Sequence, residues 1–328
     1  MSPTRYAVLL LLAATVPAAA ENIRVATWNI ENFSEHFTGH RLTTRPVMEN
    51  PPPEITALIE NERRQNNEDN WEVAQVILDD SFRPDVLVIQ EGCRQSDLEF
   101  FNRRWLNGYF ETVVVFPSNT EREQHLGVLL RPGFKIVERR DQYHLERDSV
   151  PNAYGDKLFA RGPAFVLVET PTGYRFWVGT NHMKSKRDNS VENTAWRNRE
   201  AKRTHEIIRE LQQAGPDDVV FLGDMNDELG IQQFEQEGGG DSIANLLGDA
   251  ARGFILVTKP LVDAGKISFG GYWQEDRRSF IDHIVATPSL KDQLIEVKLV
   301  DAPLAKVASD HYPVMMIIKS DAPTSGAK

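Results

Sequence analysis

The sequence predicts an α/β sandwich in which two sheets pack face to face, helices cover their outer faces, and polar side chains crowd one rim. Three observations predict it. Five apolar, β-branched runs each break off into polar residues, helical patterns lie between them, and the order strand, helix, strand occurs twice. Each half must bury the faces of its own elements, and two halves packed sheet on sheet do so together.

The elements follow in order. Residues 1–20 read as a targeting segment, with Arg5 in a short n-region, an apolar stretch from Ala7 to Val16, and small residues Ala18-Ala19-Ala20 before a cleavage expected after Ala20. That stretch falls short of the roughly 20 apolar residues a membrane-spanning helix needs. The mature chain is therefore expected to be exported and released, secreted or periplasmic, monomeric and without stable membrane association. Residues 21–319 form the expected single domain. A first strand, Ile23 to Trp28, ends at Asn29. Ser34 to Asn70 is polar, holds Pro51-Pro52-Pro53, and is predicted as a long rim loop. A helix over Glu72 to Asp80 stops before Pro84, and a strand from Pro84 to Ile89 runs into Gln90-Glu91.

The second half repeats the pattern. A strand from Tyr174 to Gly179 precedes Asn181-His182, and a helix over Asn193 to Gln213 stops at Gly215-Pro216. A strand from Asp218 to Leu222 then precedes Gly223-Asp224. The runs Val86-Leu87-Val88-Ile89 and Val219-Val220-Phe221-Leu222 are nearly continuous, as in strands covered on both faces. Gly238-Gly239-Gly240 reads as a flexible connection, Phe280 to Ala286 as a fifth strand, and residues 320–328 as a disordered tail.

Composition narrows the function. A formal net charge of −11 does not suit nucleic-acid binding by bulk charge, because that affinity comes from Lys and Arg neutralising phosphates. A polyanion must instead meet a local basic patch or a bound cation. With Cys93 the sole cysteine, no intramolecular disulfide can form, and its thiol reads as buried and inert.

Chemistry concentrates where strands end: Asn29 and Glu31, Glu91, His182, Asp224 and Asn226, Asp282, and Asp310-His311. Acidic residues are rarely buried unless paired or bound to metal, so their recurrence at strand ends argues that they converge. Carboxylates and amides with few histidines and no cysteine suit Mg²⁺, and also Mn²⁺ or Ca²⁺, rather than structural zinc. Such an ion keeps positions open for water and phosphate oxygens. Taken singly, Asn29 and Asn226 could also be turn formers and Glu31 a solvated charge.

Five strings carry a family resemblance: Thr27-Trp28-Asn29-Ile30-Glu31-Asn32, Val88-Ile89-Gln90-Glu91, Gly223-Asp224-Met225-Asn226, Ile281-Asp282-His283-Ile284 and Ser309-Asp310-His311-Tyr312-Pro313-Val314. In this order they resemble the endonuclease/exonuclease/phosphatase superfamily, the deoxyribonuclease I-like group. The resemblance implies a four-layer α/β sandwich that cleaves phosphoesters with a metal ion. It implies Glu91 as principal ligand, assisted by Asp310, Glu31 or Asn29. It implies Asp224 and Asn226 positioning the water and contacting phosphate, His311 as catalytic histidine oriented by Asp282, and His182 as a second, phosphate-contacting histidine. Arg161 falls where a phosphate-binding arginine is expected, and Lys184 with Asn29 joins the phosphate contacts. A carboxylate partner fixes a histidine tautomer and stabilises its charged form, which suits an Asp282-His311 dyad. His283, next in the strand, should face the other way.

The substrate is less defined. Asn181 to Arg187 resembles exported bacterial nucleases, with Lys184, Lys186 and Arg187 beside His182 and Arg197, Arg199, Lys202 and Arg203 on the next helix. This favours a basic groove and nucleic acid as substrate, against a solvated helix face interleaved with Glu200 and Glu206. Tyr272 and Trp273 could stack on a base or belong to the core. A phospholipase-C-like or sugar-phosphate phosphoesterase is the alternative.

Overall fold

Successive residues of the central strands point alternately into two different cores, and this organises the molecule. The computed structural model describes residues 21–33, 53–120, 122, 124–186, 190–231, 233–249, 253–270 and 278–320. The expected leader, Arg187, Tyr272-Trp273, residues 34–52 and 321–328 lie outside these.

The first half comprises β1 (Asn22–Asn29), α1 (Pro53–Leu78), β2 (Val86–Gly92), α2 (Gln95–Arg104), β3 (Thr112–Phe116) and β4 (His125–Leu130). The second runs through β5 (Lys135–Arg140), the hairpin β6 (Arg147–Asn152) and β7 (Gly155–Lys157), β8 (Ala164–Glu169), β9 (Arg175–His182), α3 (Val191–Ala214) and β10 (Val219–Asp224). It continues with α4 (Gln233–Glu237), α5 (Ser242–Leu247), β11 (Ile255–Leu256), α6 (Lys259–Asp263) and β12 (Asp282–Ala286). Last come β13 (Leu294–Leu299), α7 (Ala305–Ala308) and β14 (Val314–Lys319), which return to the first sheet.

Two six-stranded sheets result, ordered β13-β14-β1-β2-β4-β3 and β11-β12-β10-β9-β8-β5. At the centre of each lies a parallel pair, β1 with β2 and β9 with β10, flanked by antiparallel strands. The twofold repetition in the sequence is this shared centre. Odd-numbered β1 residues such as Val25, with Val88, Val178, Leu222 and Ile284, fill the space between the sheets. Trp28, Leu87 and Ile89 face outward against Val73 and Ile77 of α1 and Phe101 of α2. Trp177 and Phe221 face outward against Ile207 and Leu211 of α3 and Ile243 of α5. Three cores separate four layers: helices, sheet, sheet, helices.

Helix α3 starts where Ser190 Oγ accepts the Asn193 N–H (3.1 Å) and stops at Gly215, whose φ of 73° suits glycine. Two expectations need correction. Helix α1 begins at Pro53, inside the predicted rim loop. Proline is tolerated in a first helical turn, and the Glu, Arg and Gln that follow are good helix formers; polarity excluded them from the core, not from a helix. The Gly238–Gly240 connection is held rather than loose, since Asn198 Nδ2 donates to both carbonyls (2.9 and 2.7 Å). Among the described residues, no helix is long and apolar enough to cross a membrane.

Candidate active site

The two-residue period that fills the inter-sheet core also builds the site. Beyond Val25, Val88, Val178 and Leu222, the same faces of β1, β2, β9 and β10 present Thr27 and Asn29, Gln90, Thr180 and His182, and Asp224 at one rim. β12 runs antiparallel to β10 and puts its first residue, Asp282, opposite Asp224. The floor is a chain of hydrogen bonds across the sandwich: Thr27 Oγ1 donates to Gln90 Oε1, and Gln90 Nε2 to Thr180 Oγ1, each at 3.1 Å.

Above the floor, Asp224 is the hub. Its Oδ2 accepts from Asn29 Nδ2 (3.0 Å) and lies 3.0 Å from His182 Nε2, while Oδ1 accepts the Asn226 N–H (2.8 Å). Asn226 sits in a left-handed conformation, with φ of 51°, and its own Nδ2 donates to the Met183 carbonyl. His311 comes from the segment before β14. Its Nδ1 is 2.8 Å from Asp282 Oδ2, and its Nε2 points toward Asp224 Oδ2 at 3.9 Å. The backbone around it is fixed: Trp28 Nε1 donates to the His311 carbonyl, Ser309 Oγ accepts the His311 N–H, and Ser309 Oγ donates to the Asn29 carbonyl. His283 faces outward, its ring bonded to Thr258 Oγ1 and the Asp227 carbonyl.

Glu91 reaches the site by breaking the strand pattern. The β2–β4 register shifts between Ile89 and Gly92, and Glu91 has φ of 55°. A non-glycine residue there costs about 1–2 kcal/mol. Its Oε2 accepts the Asn32 N–H (2.8 Å), and Oε1 lies 4.0 Å from both Arg161 and His182. Arg161 is buried and splayed over the neighbouring loop, donating Nε to the His182 carbonyl, Nη2 to the Met183 carbonyl and Nη1 to Gln124 Oε1.

Charge states follow. Burial works against charge on His311, but Asp282, Asp224 and Asp310 outweigh it and push its pKa up to about 10. Burial and the Arg161 guanidinium lower His182, leaving a neutral imidazole. Burial would raise Asp224, yet His182, His311 and the Asn226 N–H hold it well below the carboxylate range. Burial raises Asp282 against the pull of His311. The site thus pairs a protonated histidine with an ionised aspartate.

The donor set fits a hard divalent cation. Burial, together with the charges of Glu31, Glu91 and Asp224, pushes the Asp310 pKa up to about 7 despite His311. Converging carboxylates of this kind repel until a cation joins them. The buried Asn29 Oδ1 accepts no hydrogen bond, leaving an oxygen of the right type at the same rim. Asp224, Asp282 and His311 also lie within metal-ligand range of one another. The hydrogen bonds from His311 Nδ1 to Asp282 Oδ2 and from Asn29 Nδ2 to Asp224 Oδ2 make them a proton-handling group first.

Four cations of the expected basic groove are paired with carboxylates instead. Lys186 Nζ lies 3.1 Å from Asp227 and 3.0 Å from Glu235, Arg199 pairs with Asp148 (2.7 Å), Arg203 with Glu146 (2.8 Å), and Arg197 is buried 3.4 Å from Asp227. The partners of Arg199 and Arg203 lie on or beside the β6–β7 hairpin, some fifty residues earlier, so α3 read alone looked like a basic face. The Lys184 ammonium lies over the Trp196 ring, 5.6 Å from its centroid. Sequence reasoning also missed Gln124, Ser309 and the Thr27-Gln90-Thr180 chain. For Gln90 the signal was present: a polar residue on the inward face of an apolar strand.

Fold and site together define a metal-dependent phosphoric ester hydrolase. The chain belongs to the Endonuclease/Exonuclease/phosphatase family, which it matches over residues 26–311. Among solved structures it is similar to an endonuclease/exonuclease/phosphatase family protein from Bacteroides thetaiotaomicron (16% identity, TM-score 0.59, covering 94% of this chain and 99% of that one). It is also similar to truncated Caenorhabditis elegans TDP2 (15%, 0.58, 91% and 98%). A third likeness is to the mannosyl-6-phosphatase Bt3783 of Bacteroides thetaiotaomicron (17%, 0.57, 91% and 100%). No curated protein matches the sequence.

Proposed function

We propose that this protein is an exported phosphodiesterase that hydrolyses nucleic acid. The observation that carries the diesterase reading is the relay Asp282–His311 facing the ionised Asp224, 2.8 and 3.9 Å across. Glu91, Asp310 and Glu31 are the residues that would hold Mg²⁺, with Asn29 beside them; the bound ion supplies charge stabilisation at the phosphoryl oxygens. Arg161 adds a buried positive charge next to Glu91 and binds phosphate. Asp224, kept ionised by three donors and with acceptor capacity left on Oδ1, orients the attacking water. His182 and Asn29 hold Asp224, and Asn226 holds it through its backbone. His311 carries the proton that a departing oxygen needs, and Asp282 keeps it charged at neutral pH.

Nucleic acid as substrate is supported by the likeness of residues 181–187 to exported nucleases. A second reading, a small phosphoester such as a sugar phosphate, is favoured by one observation: Lys186, Arg199 and Arg203 are paired internally rather than lining a groove. Protein lacking residues 1–20, assayed with Mg²⁺ and with EDTA, decides between them. Cleavage of plasmid DNA or RNA supports the nuclease. Turnover confined to sugar phosphates moves the assignment to the second reading, and turnover of sphingomyelin liposomes alone points to a lipid substrate. Export rests on the leader pattern; a chain that retains Arg5 and stays in the cytoplasm refutes it.

A further inference from the structure

Glu200 belongs to none of the groups above, yet it is fully buried on the inner face of α3. Its Oε1 accepts the Ala160 N–H (2.9 Å) and its Oε2 the Lys184 N–H (2.7 Å). These two amides flank Arg161 and the end of β9: Ala160 precedes Arg161, and Lys184 follows His182-Met183. Between the amides the two segments are already laced together. The His182 N–H donates to the Arg161 carbonyl (3.0 Å), and the Arg161 guanidinium donates back to the His182 and Met183 carbonyls.

We propose that Glu200 is a positioning residue that clamps these two segments and so sets where Arg161 stands to receive phosphate and where His182 holds Asp224. A carboxylate is the side chain for the task, because it accepts at both oxygens with no donor to clash with either amide. The clamp works against burial, which pushes the Glu200 pKa up to about 7. A purely structural filler of that space would be apolar or neutral, since an ionised group in the interior is costly unless its hydrogen bonds serve a defined geometry. Glu200→Gln keeps the shape but turns one acceptor into a donor facing an N–H. Glu200→Ala removes both acceptors.

The inference rests on the phosphodiesterase reading, and its test separates the two. Wild type, Glu200→Gln and Glu200→Ala are compared for hydrolysis of bis(p-nitrophenyl) phosphate with Mg²⁺, and for binding of inorganic phosphate by calorimetry in the same buffer. Loss of uniform phosphate binding raises KM and leaves kcat in place. The clamp predicts KM and the phosphate Kd up about tenfold in Glu200→Gln, kcat within about threefold, and a larger effect in Glu200→Ala. Unchanged KM and phosphate affinity in a folded Glu200→Gln, whatever its melting temperature, overturn it. If the wild type turns over no diester, the functional reading fails while the phosphate affinities still decide the clamp. A wild type that binds no phosphate overturns the clamp too.

Discussion

Asp282→Asn isolates the part of the site that moves a proton. His311 has a pKa of about 10 against an ordinary value of 6.5, a difference worth about 5 kcal/mol between its two protonation states. Three carboxylates supply it against burial: Asp282 at 2.8 Å, Asp310 at 3.7 Å and Asp224 at 3.9 Å. Coulomb energy falls as the inverse of distance, and Asp282 alone hydrogen-bonds the ring, so removing its charge takes roughly half of the effect. The His311 pKa then falls to roughly 8. A proton donor that is lost at lower pH pulls the alkaline limb of the pH–rate profile down by about 2, and kcat at pH 7 drops about 10²–10⁴-fold through the weakened orientation of the ring. Profiles of kcat/KM from pH 5 to 10 with saturating Mg²⁺ read both. An alkaline limb that stays in place, with kcat within threefold of wild type, refutes the relay.

Glu200 gives a stability prediction with a definite sign. Its pKa is 4.5 in the unfolded chain and about 7 in the fold, so the folded state holds the extra proton between those values and stability falls as pH rises through that window, by at most about 3 kcal/mol. Urea unfolding at pH 5 and 7 should show this slope in wild type and its loss in Glu200→Gln; equal slopes refute it. Glu91→Gln should abolish the rise in melting temperature that Mg²⁺ gives the wild type, a rise worth about 2.7 kcal/mol at a hundred times Kd and reversed by EDTA. Persistence of the full Mg²⁺ effect would remove Glu91 from the ligand set. Gln90→Leu leaves the Thr27 and Thr180 hydroxyls without their cross-sheet partner and should cost about 1–3 kcal/mol in urea unfolding; a variant as stable as wild type would show the floor to be dispensable.

How much of this was legible depended on how far each contact reaches. Asn29, His182 and Asp224 stood out because they end apolar strands, and strand alternation along β1, β9 and β10 turns all three to the inward face. His283 was turned outward by the same rule. Glu91 was not placed by alternation, because a left-handed residue at a bulge reverses the rule where it matters. The inward side of α3 was misread for a different reason. Arg199 and Arg203 look solvated on the helix alone, and only Asp148 and Glu146 from a distant hairpin reveal ion pairs; Glu200 looked like a surface acid because its partners are backbone amides that no side-chain pattern encodes.

The charge balance at the rim connects the acidic composition to the choice of ester. Glu91, Asp224 and Asp282 are anionic beside His311, and Asp310 is half-charged near neutrality, against the positive His311 and Arg161. The pocket is therefore negative before any ion enters, and an anionic substrate is repelled until a divalent cation reverses the field. With that ion these charges sum to only about +0.5, so the double charge of a monoester meets a much larger mismatch than the single charge of a diester. The acidic rim thus makes the cation obligatory and leans toward diesters, which relative rates on bis(p-nitrophenyl) phosphate and p-nitrophenyl phosphate at pH 7 should show directly; faster monoester turnover would contradict it.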